Sequence, residues 1–417
     1  MREIFVLIDE VSGEEGKLLK IVHLVTSITG GAGLAAVRLH ESLLQAHQDS
    51  HLITVSRRSG VITKSEIVQD INVTKRLASS TLTFFQKTLV QKGEDLVTTL
   101  SLDLIDWNDS LISTADVLHL HSFYNLVSIQ NFLEYYPEKA KFVTLHDERF
   151  YTGGCHVSKN CSQFSFGCQN CPQVQRLFQI LVSHVQRKTK LLLEKDVNLM
   201  FVCPSNWIKK RAMLAFPMLE PRRFIEIYNP IPNMNISESF EEQNQNFIKI
   251  GFISQELANP IKNLKLLLSA FDKINKTYPN KYLLYLVGNS RVDYASSSSN
   301  IIQKKANNLK ELQKILCEID LLVVPSSFDN LPNVLGEALM NGVGLVGSNV
   351  GGIPEVLNLF EQPIFENGDE VSLIKALSSF ELIDREALKA RAQSIFGYEA
   401  VSSRIIKAYS SQLGNVI

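Results

Sequence analysis

The chain has 417 residues, of which 45% are hydrophobic and 20% are charged, and its formal net charge is −1. This length predicts two or three globular domains, and the near-neutral charge argues against a nucleic-acid-binding protein, which would carry a basic excess. No segment approaches the roughly 18 apolar residues of a membrane span, and the short apolar run 4–8 is followed by acids and makes a poor signal peptide, which together predict a cytoplasmic protein.

Strands alternate with helical patterns in the first half of the chain, which predicts a doubly wound parallel sheet. Apolar runs predict strands at 20–25, 51–55, 116–121, 141–146, 198–203 and 225–228. A helix is predicted at 34–44, preceded by a turn that contains Gly30, Gly31 and Gly33. Glycine permits close backbone approach, and a helix N-terminus attracts anions, so this turn either faces a phosphate or is a plain tight turn. Arg38 is expected at the surface or at the edge of the core.

Histidines stand near the ends of two predicted strands. His119 and His121 are two residues apart in one strand, so they point to the same face of the sheet. His146 and Asp147 end the next strand. Each histidine is either a ligand-binding residue or a satisfied structural one, and Asp147 is alternatively a cap for the segment that follows.

Four of the six cysteines form the pattern C-x5-C-x6-C-x2-C, which consists of Cys155, Cys161, Cys168 and Cys171. In a cytosolic protein such clustering favours a metal site over disulfides, and four thiolates favour tetrahedral zinc. Disulfides, free thiols or an iron–sulfur cluster are the alternatives. A closed four-sulfur site has no open coordination position, so this zinc would be structural.

The sequence Asn-Pro-Ile-Pro-Asn at 229–233 breaks any regular element and divides the chain. The polar stretch 237–246 is typical of a linker, and four consecutive serines at 296–299 predict a loop. A second series of elements is predicted, with a helix at 264–275, a final helix at 398–413 and strands at 247–253, 282–288, 318–325 and 344–348.

The turn after the first strand of this second series contains Lys262, followed by Asn263. A lysine here supplies a point charge for an anion. Without a ligand, Lys262 would be a solvated lysine at the start of a helix.

Two carboxylates, Asp329 and Glu337, surround the strand-to-helix turn that follows the apolar run 321–324. Ligands of open α/β sheets bind outside the carboxyl ends of the strands. The next strand leads into Gly351 and Gly352, and two adjacent turns of this kind predict a pocket for a ligand with hydroxyls and phosphates. The structural alternative makes Asp329 a helix cap and Glu337 a solvated helix residue.

The acid-x7-acid signature, followed by a strand and Gly-Gly-x-Pro-Glu, resembles the retaining GT-B glycosyltransferases of family 4, especially those that make bacterial surface polysaccharides. The resemblance covers about residues 20 to 410 and includes Asp-Asn-Leu-Pro-Asn at 329–333, Gly-Gly-Cys-His at 153–156 and Cys-x-x-Cys-Pro-Gln at 168–173. It implies an α/β fold of the GT-B type, in which two Rossmann-like doubly wound domains face each other across a cleft. The implied parts are an acceptor-side domain 1–228 with a cysteine-rich insertion 152–175, a nucleotide-sugar-binding domain 229–395 and a helix 396–417 that crosses back to the first domain.

The same resemblance implies roles for single residues. His121 and Asp329 would be catalytic and contact the donor sugar, while Glu337 would bind the ribose. His146 and Asp147 would lie on the acceptor side. The remaining donor-binding residues would be Gly30, Gly31, Lys262, Gly351 and Gly352.

Two positions depart from the family pattern. Asp329 is one methylene shorter than the usual glutamate, and the arginine that usually precedes the lysine is missing, with Ser254 or Gln255 in its region. Loss of one cation would weaken diphosphate binding.

The implied function is transfer of a sugar, with retention, from a nucleoside-diphosphate (NDP) sugar to a saccharide or lipid-linked saccharide in surface polysaccharide biosynthesis, without a catalytic cofactor. The main alternative is a nucleotide-sugar-binding paralogue with weak or no transferase activity. An epimerase or phosphorylase on the same fold and a zinc-finger nucleic-acid module are further alternatives. A peripheral contact with the inner membrane surface, or simply a charged helix surface, would account for Arg187, Lys188, Lys190, Lys209, Lys210 and Arg211.

Overall fold

A computed structural model describes residues 18–55, 66–69, 71, 73–92, 94, 97–196, 198–233, 247–289 and 300–416. The apolar run at 4–8, the predicted linker at 237–246 and the serine run at 296–299 lie outside the described residues.

The first half of the chain forms a seven-stranded parallel sheet in the order β3-β2-β1-β4-β5-β6-β7. Its strands are β1 (Lys20–Val25), β2 (Asp49–Thr54), β3 (Glu66–Val68), β4 (Val117–Ser122), β5 (Ala140–Thr144), β6 (Leu199–Cys203) and β7 (Phe224–Glu226). The strand order reverses between β1 and β4, and such a switch point is where open α/β sheets bind ligands.

Among the residues described above, six α-helices accompany this sheet, and together they form what we call the N-terminal domain. They are α1 (Gly30–Gln45), α2 (Val73–Leu89), α3 (Ser110–Thr114), α4 (Ile129–Glu134), α5 (Gln179–Lys195) and α6 (Asn206–Ala215). The central strands are buried along nearly their whole length, which explains why they appear in the sequence as continuous apolar runs rather than alternating ones.

A second parallel sheet of six strands has the order β10-β9-β8-β11-β12-β13. Its strands are β8 (Ile248–Ile253), β9 (Tyr282–Val287), β10 (Ile301–Lys304), β11 (Leu321–Val324), β12 (Gly344–Ser348) and β13 (Ile364–Phe365). Here the order reverses between β8 and β11, so the turns that follow these two strands are neighbours.

The helices of this second unit, the C-terminal domain, are α7 (Leu264–Thr277), α8 (Leu309–Glu318), α9 (Asn333–Leu339), α10 (Ile353–Leu359), α11 (Glu370–Ser378) and α12 (Arg385–Phe396). The chain passes from one sheet to the other between Glu226 and Ile248. Ile231 is already buried in the core of the C-terminal domain, so the change of domain falls near the predicted boundary after residue 228.

The final helix, α13 (Tyr398–Val416), packs against α1 and β5 of the N-terminal domain. Tyr409 is buried against Phe142, with ring centroids 4.8 Å apart, and the hydroxyl of Tyr398 donates to Glu41 at 2.8 Å. The predicted crossover helix is therefore confirmed. No helix among the described residues is long and apolar enough to cross a membrane.

The predicted strands match observed ones to within a few residues, but the N-terminal glycine turn differs from the prediction. Helix α1 begins at Gly30 rather than after Gly33. A Cβ on Gly33 would lie 2.2 Å from the carbonyl oxygen of Ser27, so this glycine is required by the close approach of the loop to the helix. The edge strand β10 was not predicted, because it is half exposed and carries no buried apolar run.

Candidate active site

Lys262 and Asp329 meet where the strand order of the C-terminal sheet reverses. Lys262 ends a short 3-10 turn (Pro260–Lys262) after β8, and Asp329 follows β11. Lys262 Nζ lies 2.5 Å from Asp329 Oδ2, and both side chains are partly exposed. Asn263, at the place of the family's glycine, has φ of 54°, a left-handed conformation that asparagine tolerates better than most residues. The predicted cation and the first carboxylate are thus adjacent and reachable.

Gly351 and Gly352 pack against the backbone of the turn that carries Asp329. Gly351 has φ of +59°, and a Cβ there would lie 1.5 Å from the Asp329 carbonyl oxygen. The Gly352 N–H donates to the carbonyl oxygen of Asn330 at 2.6 Å. In this conformation the two glycines hold the Asp329 turn in place, because any side chain would displace it, and their direct contact with the donor stays a prediction.

Asn330 connects the two domains. Its Oδ1 accepts a hydrogen bond from Ser205 Oγ at 2.7 Å, and its Nδ2 donates to the carbonyl oxygens of Leu145 at 2.9 Å and His146 at 3.1 Å. The residue that precedes α9 is Pro332, which makes no side-chain cap. Neither Asp329 nor Asn330 therefore caps that helix. Asn330 instead links the donor-side turn to the end of β5, a role that sequence reasoning missed.

Glu337 is buried in an ion pair with Arg38 of the N-terminal domain. The Arg38 Nη2 donates to Glu337 Oε1 at 2.6 Å, and the two side chains are only 2% and 4% exposed. One expectation is corrected by this contact, because Arg38 is buried and not at the surface or core edge. In this conformation Oε1 of Glu337 accepts from Arg38, and the contact of Glu337 with a ribose stays a prediction.

Two more contacts join the domains beside this ion pair. Glu355 in α10 accepts hydrogen bonds from the backbone N–H groups of Asn206 at 2.8 Å and Trp207 at 2.6 Å, and so caps the N-terminus of α6. Asn333 Nδ2 donates to the carbonyl oxygen of Gly31 at 3.0 Å. The structure is therefore a closed one, in which polar groups of one domain satisfy helix ends and carbonyls of the other.

Gly30 and Gly31 are exposed at the start of α1. A Cβ on either would meet no heavy atom within 4 Å, and no side chain caps this helix. No side chain therefore caps its first N–H groups, and contact of Gly30 and Gly31 with an anion stays a prediction.

His121 and His146 line a cavity at the switch point of the N-terminal sheet, together with Ala32, Tyr124, Asp147 and His156. His121 is buried, and both its nitrogens are engaged by other histidines: Nε2 lies 2.9 Å from Nδ1 of His23, and Nδ1 lies 3.1 Å from Nε2 of His146. In this conformation both ring nitrogens of His121 are used by histidines, and the contact between His121 and the donor sugar stays a prediction.

His119 lies deeper than His121. Its Nδ1 is 2.6 Å from the hydroxyl of Tyr409 and its Nε2 is 2.8 Å from Thr144 Oγ1. Burial lowers the pKa of His119 to about 3 and that of His146 to about 4, so both are neutral at pH 7. His119 is a satisfied structural histidine.

Asp147 pairs with His156 at 2.6 Å and also accepts from the N–H of Arg149 at 2.9 Å. Burial alone would raise the pKa of Asp147, but His156 and that N–H together lower it. Asp147 therefore remains ionised, and it both caps the following turn and presents charge at the cavity.

Comparison with known proteins finds a family match for part of the C-terminal domain. Residues 248–380 match the family model described as glycosyl transferases group 1. This stretch of the C-terminal domain is therefore similar to group 1 glycosyl transferases.

Relatives and solved structures extend the similarity to the whole chain. The colanic acid biosynthesis glycosyl transferase WcaC of Escherichia coli is 25% identical over 92% of this chain and 94% of its own. The capsular polysaccharide biosynthesis glycosyltransferase CapH of Staphylococcus aureus is 27% identical over 38% of this chain and 45% of its own.

Two solved structures share the fold. Anabaena HepE in complex with UDP-glucose superposes with a TM-score of 0.60 at 13% identity, covering 94% of this chain and all of that one. The lipopolysaccharide glycosyltransferase WaaG has a TM-score of 0.56 at 12% identity, covering 94% and 99%. The predicted GT-B fold is confirmed.

The cysteine cluster of the N-terminal domain does not have the geometry of a zinc site. A tetrahedral zinc with bonds of about 2.3 Å needs sulfurs about 3.8 Å apart. Among the described residues only His23, His119 and His121 bring three potential ligand atoms within 4.8 Å of one another, so no three of the sulfurs of Cys155, Cys161, Cys168 and Cys171 do so.

The cysteines instead behave as core thiols. Cys155, Cys168 and Cys171 are buried in the hydrophobic core of the N-terminal domain, and all are free. Burial raises the pKa of all three, to about 12 for Cys168. The zinc expectation remains a prediction that this geometry does not support.

The three buried histidines are equally unsuited to a metal. The hydrogen bonds described above use every ring nitrogen of His119 and His121, and one of the two of His23. A metal would have to break several of them in a fully buried place. The short distance between His23 and His121 is explained by their hydrogen bond, and that between His119 and His121 by stacking of the rings, with centroids 4.3 Å apart.

Proposed function

We propose that this protein transfers a sugar from an NDP-sugar to a saccharide or lipid-linked saccharide in surface polysaccharide biosynthesis, with retention of the anomeric configuration. One observation carries the proposal: the residue next to Asp329 hydrogen-bonds to the backbone of His146. The donor-side turn thus adjoins the acceptor-side cavity. The match to the group 1 family supports the reaction class, and the names of WcaC and CapH support the biological context.

The donor would bind where Lys262 and Asp329 now pair. A diphosphate would take Lys262, and the freed carboxylate of Asp329 would accept hydrogen bonds from hydroxyls of the transferred sugar. HepE, which has the same fold, is in complex with UDP-glucose. Because the pair is partly exposed, its own contribution to stability is small, and the exchange of partners costs little.

The missing family arginine has no substitute in its own loop. Ser254 is buried, and its hydroxyl donates to the carbonyl oxygen of Glu256 at 2.9 Å. We propose that the uncapped N-terminus of α1, at Gly30 and Gly31, supplies the second positive end for the diphosphate.

The chemical step would need no side-chain nucleophile. The bond between the anomeric carbon and the leaving phosphate oxygen breaks, the acceptor oxygen bonds to the same face, and the acceptor proton passes to the leaving phosphate. Domain closure holds the two substrates together and excludes water. Lys262 and the N-terminus of α1 would stabilise the departing diphosphate.

Purified protein should be incubated with UDP- and GDP-sugars and oligosaccharide acceptors, and the anomeric configuration of the product determined by NMR coupling constants. Retention supports the mechanism and inversion overturns it. Binding of a nucleotide sugar without transfer to any acceptor, or to water, would instead favour the binding paralogue with weak or no transferase activity.

An apolar surface beside the cavity supports a lipid-linked acceptor. Phe84 in α2 and Leu177 and Ile180 near the start of α5 are 72%, 81% and 82% exposed. These elements are joined by the ring contact of Phe85 with Phe178. The residues 73–89 and 176–193 contain seven Lys and Arg and no Asp or Glu, so apolar side chains are set among positive charge, as on a surface that meets anionic lipid.

Four of the six basic residues predicted for membrane contact fall into two groups. Lys209 pairs with Glu226 and Arg211 with Glu148, so these two are engaged within the protein. Arg187 and Lys188 are exposed and belong to the stretch just described.

Co-sedimentation with vesicles tests the membrane contact. Vesicles rich in phosphatidylglycerol should bind the protein, and Phe84→Ser with Ile180→Ser should reduce binding severalfold. Leu382→Ser, at an equally exposed apolar position of the C-terminal domain, is the matched control. Equal binding by neutral and anionic vesicles, or no effect of the double substitution, would refute the proposed membrane contact.

A further inference from the structure

Three histidines form a hydrogen-bonded row from the interior of the N-terminal domain to its cavity. His23 lies in β1, His121 at the end of β4, and His146 just after β5. Nδ1 of His23 is 2.9 Å from Nε2 of His121, and Nδ1 of His121 is 3.1 Å from Nε2 of His146. Because these three strands are adjacent in the sheet, the row crosses the switch point and ends at the candidate acceptor site.

The two ends of the row differ. At the inner end, Nε2 of His23 is buried and has no hydrogen-bond partner among the described residues. At the outer end, His146 lines the cavity, and its Nδ1 is the one nitrogen of that ring that the row does not use. The row therefore has a closed end in the core and an open end toward a ligand.

The row can be arranged in only two ways. Burial keeps all three imidazoles neutral, and a neutral imidazole carries one N–H. Each ring in the row must then donate in one direction and accept from the other. Either all N–H groups point inward, leaving an N–H on Nε2 of His23, or all point outward, leaving an N–H on Nδ1 of His146.

The closed end selects between these two arrangements. The inward one buries an N–H without an acceptor, whereas the outward one buries an acceptor without a donor. Among buried backbone groups, unpaired N–H donors are rarer than under-satisfied acceptors, and we extend this preference to the imidazole of His23. The outward arrangement is therefore favoured, and Nδ1 of His146 carries a proton at the cavity.

We propose that His146 donates a hydrogen bond from Nδ1 to an oxygen of the acceptor sugar, and that His23 is a positioning residue that fixes this tautomer through His121. The identity of the ligand rests on the proposed function, but the tautomer does not. Asn330, in the other domain, restrains the backbone of His146. The N–H group on Nδ1 of His146 would therefore reach its final position only when the domains are closed.

The unmodified protein provides the first test. With 15N-labelled histidine, NMR shifts of the ring nitrogens report which one is protonated, and couplings across the two N–H···N bonds report the row itself. We expect His146 and His121 to be protonated at Nδ1, and the couplings to be present. An Nε2–H tautomer of His146, or absent couplings, would overturn the proposal whether or not the protein is a transferase.

The second test removes His23, the residue at the buried end of the row. In His23→Leu the selection of the outward arrangement is lost, so His146 should become a mixture of tautomers, and the KM for the acceptor should rise up to about tenfold, as expected for one hydrogen bond, with a smaller fall in kcat. His47→Asn, at an exposed histidine that follows the C-terminus of α1, is the control and should change neither. An unchanged His146 tautomer in folded His23→Leu would refute the positioning role.

Discussion

Arg38 and Glu337 are 299 residues apart in the chain, yet their side chains form a buried ion pair of 2.6 Å between the two domains. Nε and Nη1 of Arg38 find no partner among the described residues, so the guanidinium depends on this single carboxylate. Such a pair contributes little net stability compared with apolar residues, but removing one partner leaves a buried unpaired charge.

Single substitutions of this pair should therefore be costly and a double one less so. Arg38→Met or Glu337→Met is expected to lower the free energy of unfolding by about 3–5 kcal/mol, whereas Arg38→Met with Glu337→Met should cost less than the sum. Urea unfolding of the four proteins measures this. Arg222→Met, in the exposed pair with Glu220, should change stability by less than about 1 kcal/mol. Additive losses would contradict the coupling.

Asn330 should matter for turnover more than for donor binding. Asn330→Asp keeps the size of the side chain but turns a donor into an oxygen that faces the carbonyls of Leu145 and His146. We expect kcat to fall about a hundredfold because the closed state is weakened by several hydrogen bonds, with the Kd for UDP nearly unchanged. Asn358→Asp, at an exposed position of α10, serves as control. A fall in UDP affinity alone would argue against this role.

Lys262 should act on the diphosphate specifically. Lys262→Ala is expected to weaken UDP binding by about tenfold or more, since a charge-assisted hydrogen bond contributes roughly 1.5–3 kcal/mol, and to leave uridine binding unchanged. Isothermal titration with both ligands measures the difference. Lys265→Ala, at an exposed lysine three residues later in the first turn of α7, should affect neither ligand. Equal losses for UDP and uridine would place Lys262 elsewhere in the site.

Stability should fall with acidification below pH 6.5. The pKa of His119 is lowered to about 3 and that of His146 to about 4, in each case chiefly by burial, although Asp147 raises that of His146 slightly. Between these values and 6.5 the unfolded chain binds more protons than the native one, so the free energy of unfolding decreases as pH falls through this window.

The expected loss at pH 5 is of the order of 1–2 kcal/mol for a fully buried histidine. Above pH 6.5 these histidines are neutral in both states and contribute no pH dependence. The lowered pKa of Asp147 acts in the same direction at more acid pH. Unfolding midpoints that stay constant from pH 7 to pH 5 would contradict the buried, neutral state of the histidines.

The cysteines should hold no stoichiometric zinc. Protein purified with zinc in the medium is expected to contain far less than one ion per chain by mass spectrometry, because the sulfurs are not gathered around one point. Cys168→Ser should leave that content unchanged. One zinc per chain that disappears in Cys168→Ser would restore the zinc site predicted from the sequence.

The fold and the position of the donor site follow from local features of the sequence. Apolar runs of four to six residues alternate with amphipathic helices, and this pattern permits little except doubly wound sheets. Lys262 and Asp329 each follow such a strand, and the topology then places both turns at the switch point. Their encounter was predictable because strand order, rather than side-chain packing, brings them together.

What the sequence could not determine is which buried polar groups meet. Three buried contacts join residues that are 98 to 299 positions apart in the chain: Arg38 with Glu337, Asn330 with β5, and His23 with His121. Hydrophobic periodicity indicates only that one face of an element is buried, not which residues lie opposite that face. The same limit applies to the cysteines, whose spacing fits a metal while their packing separates the sulfurs. Only tertiary packing, within the N-terminal domain as well as between the two domains, decides these contacts, because each depends on the exact distance between atoms that belong to different elements.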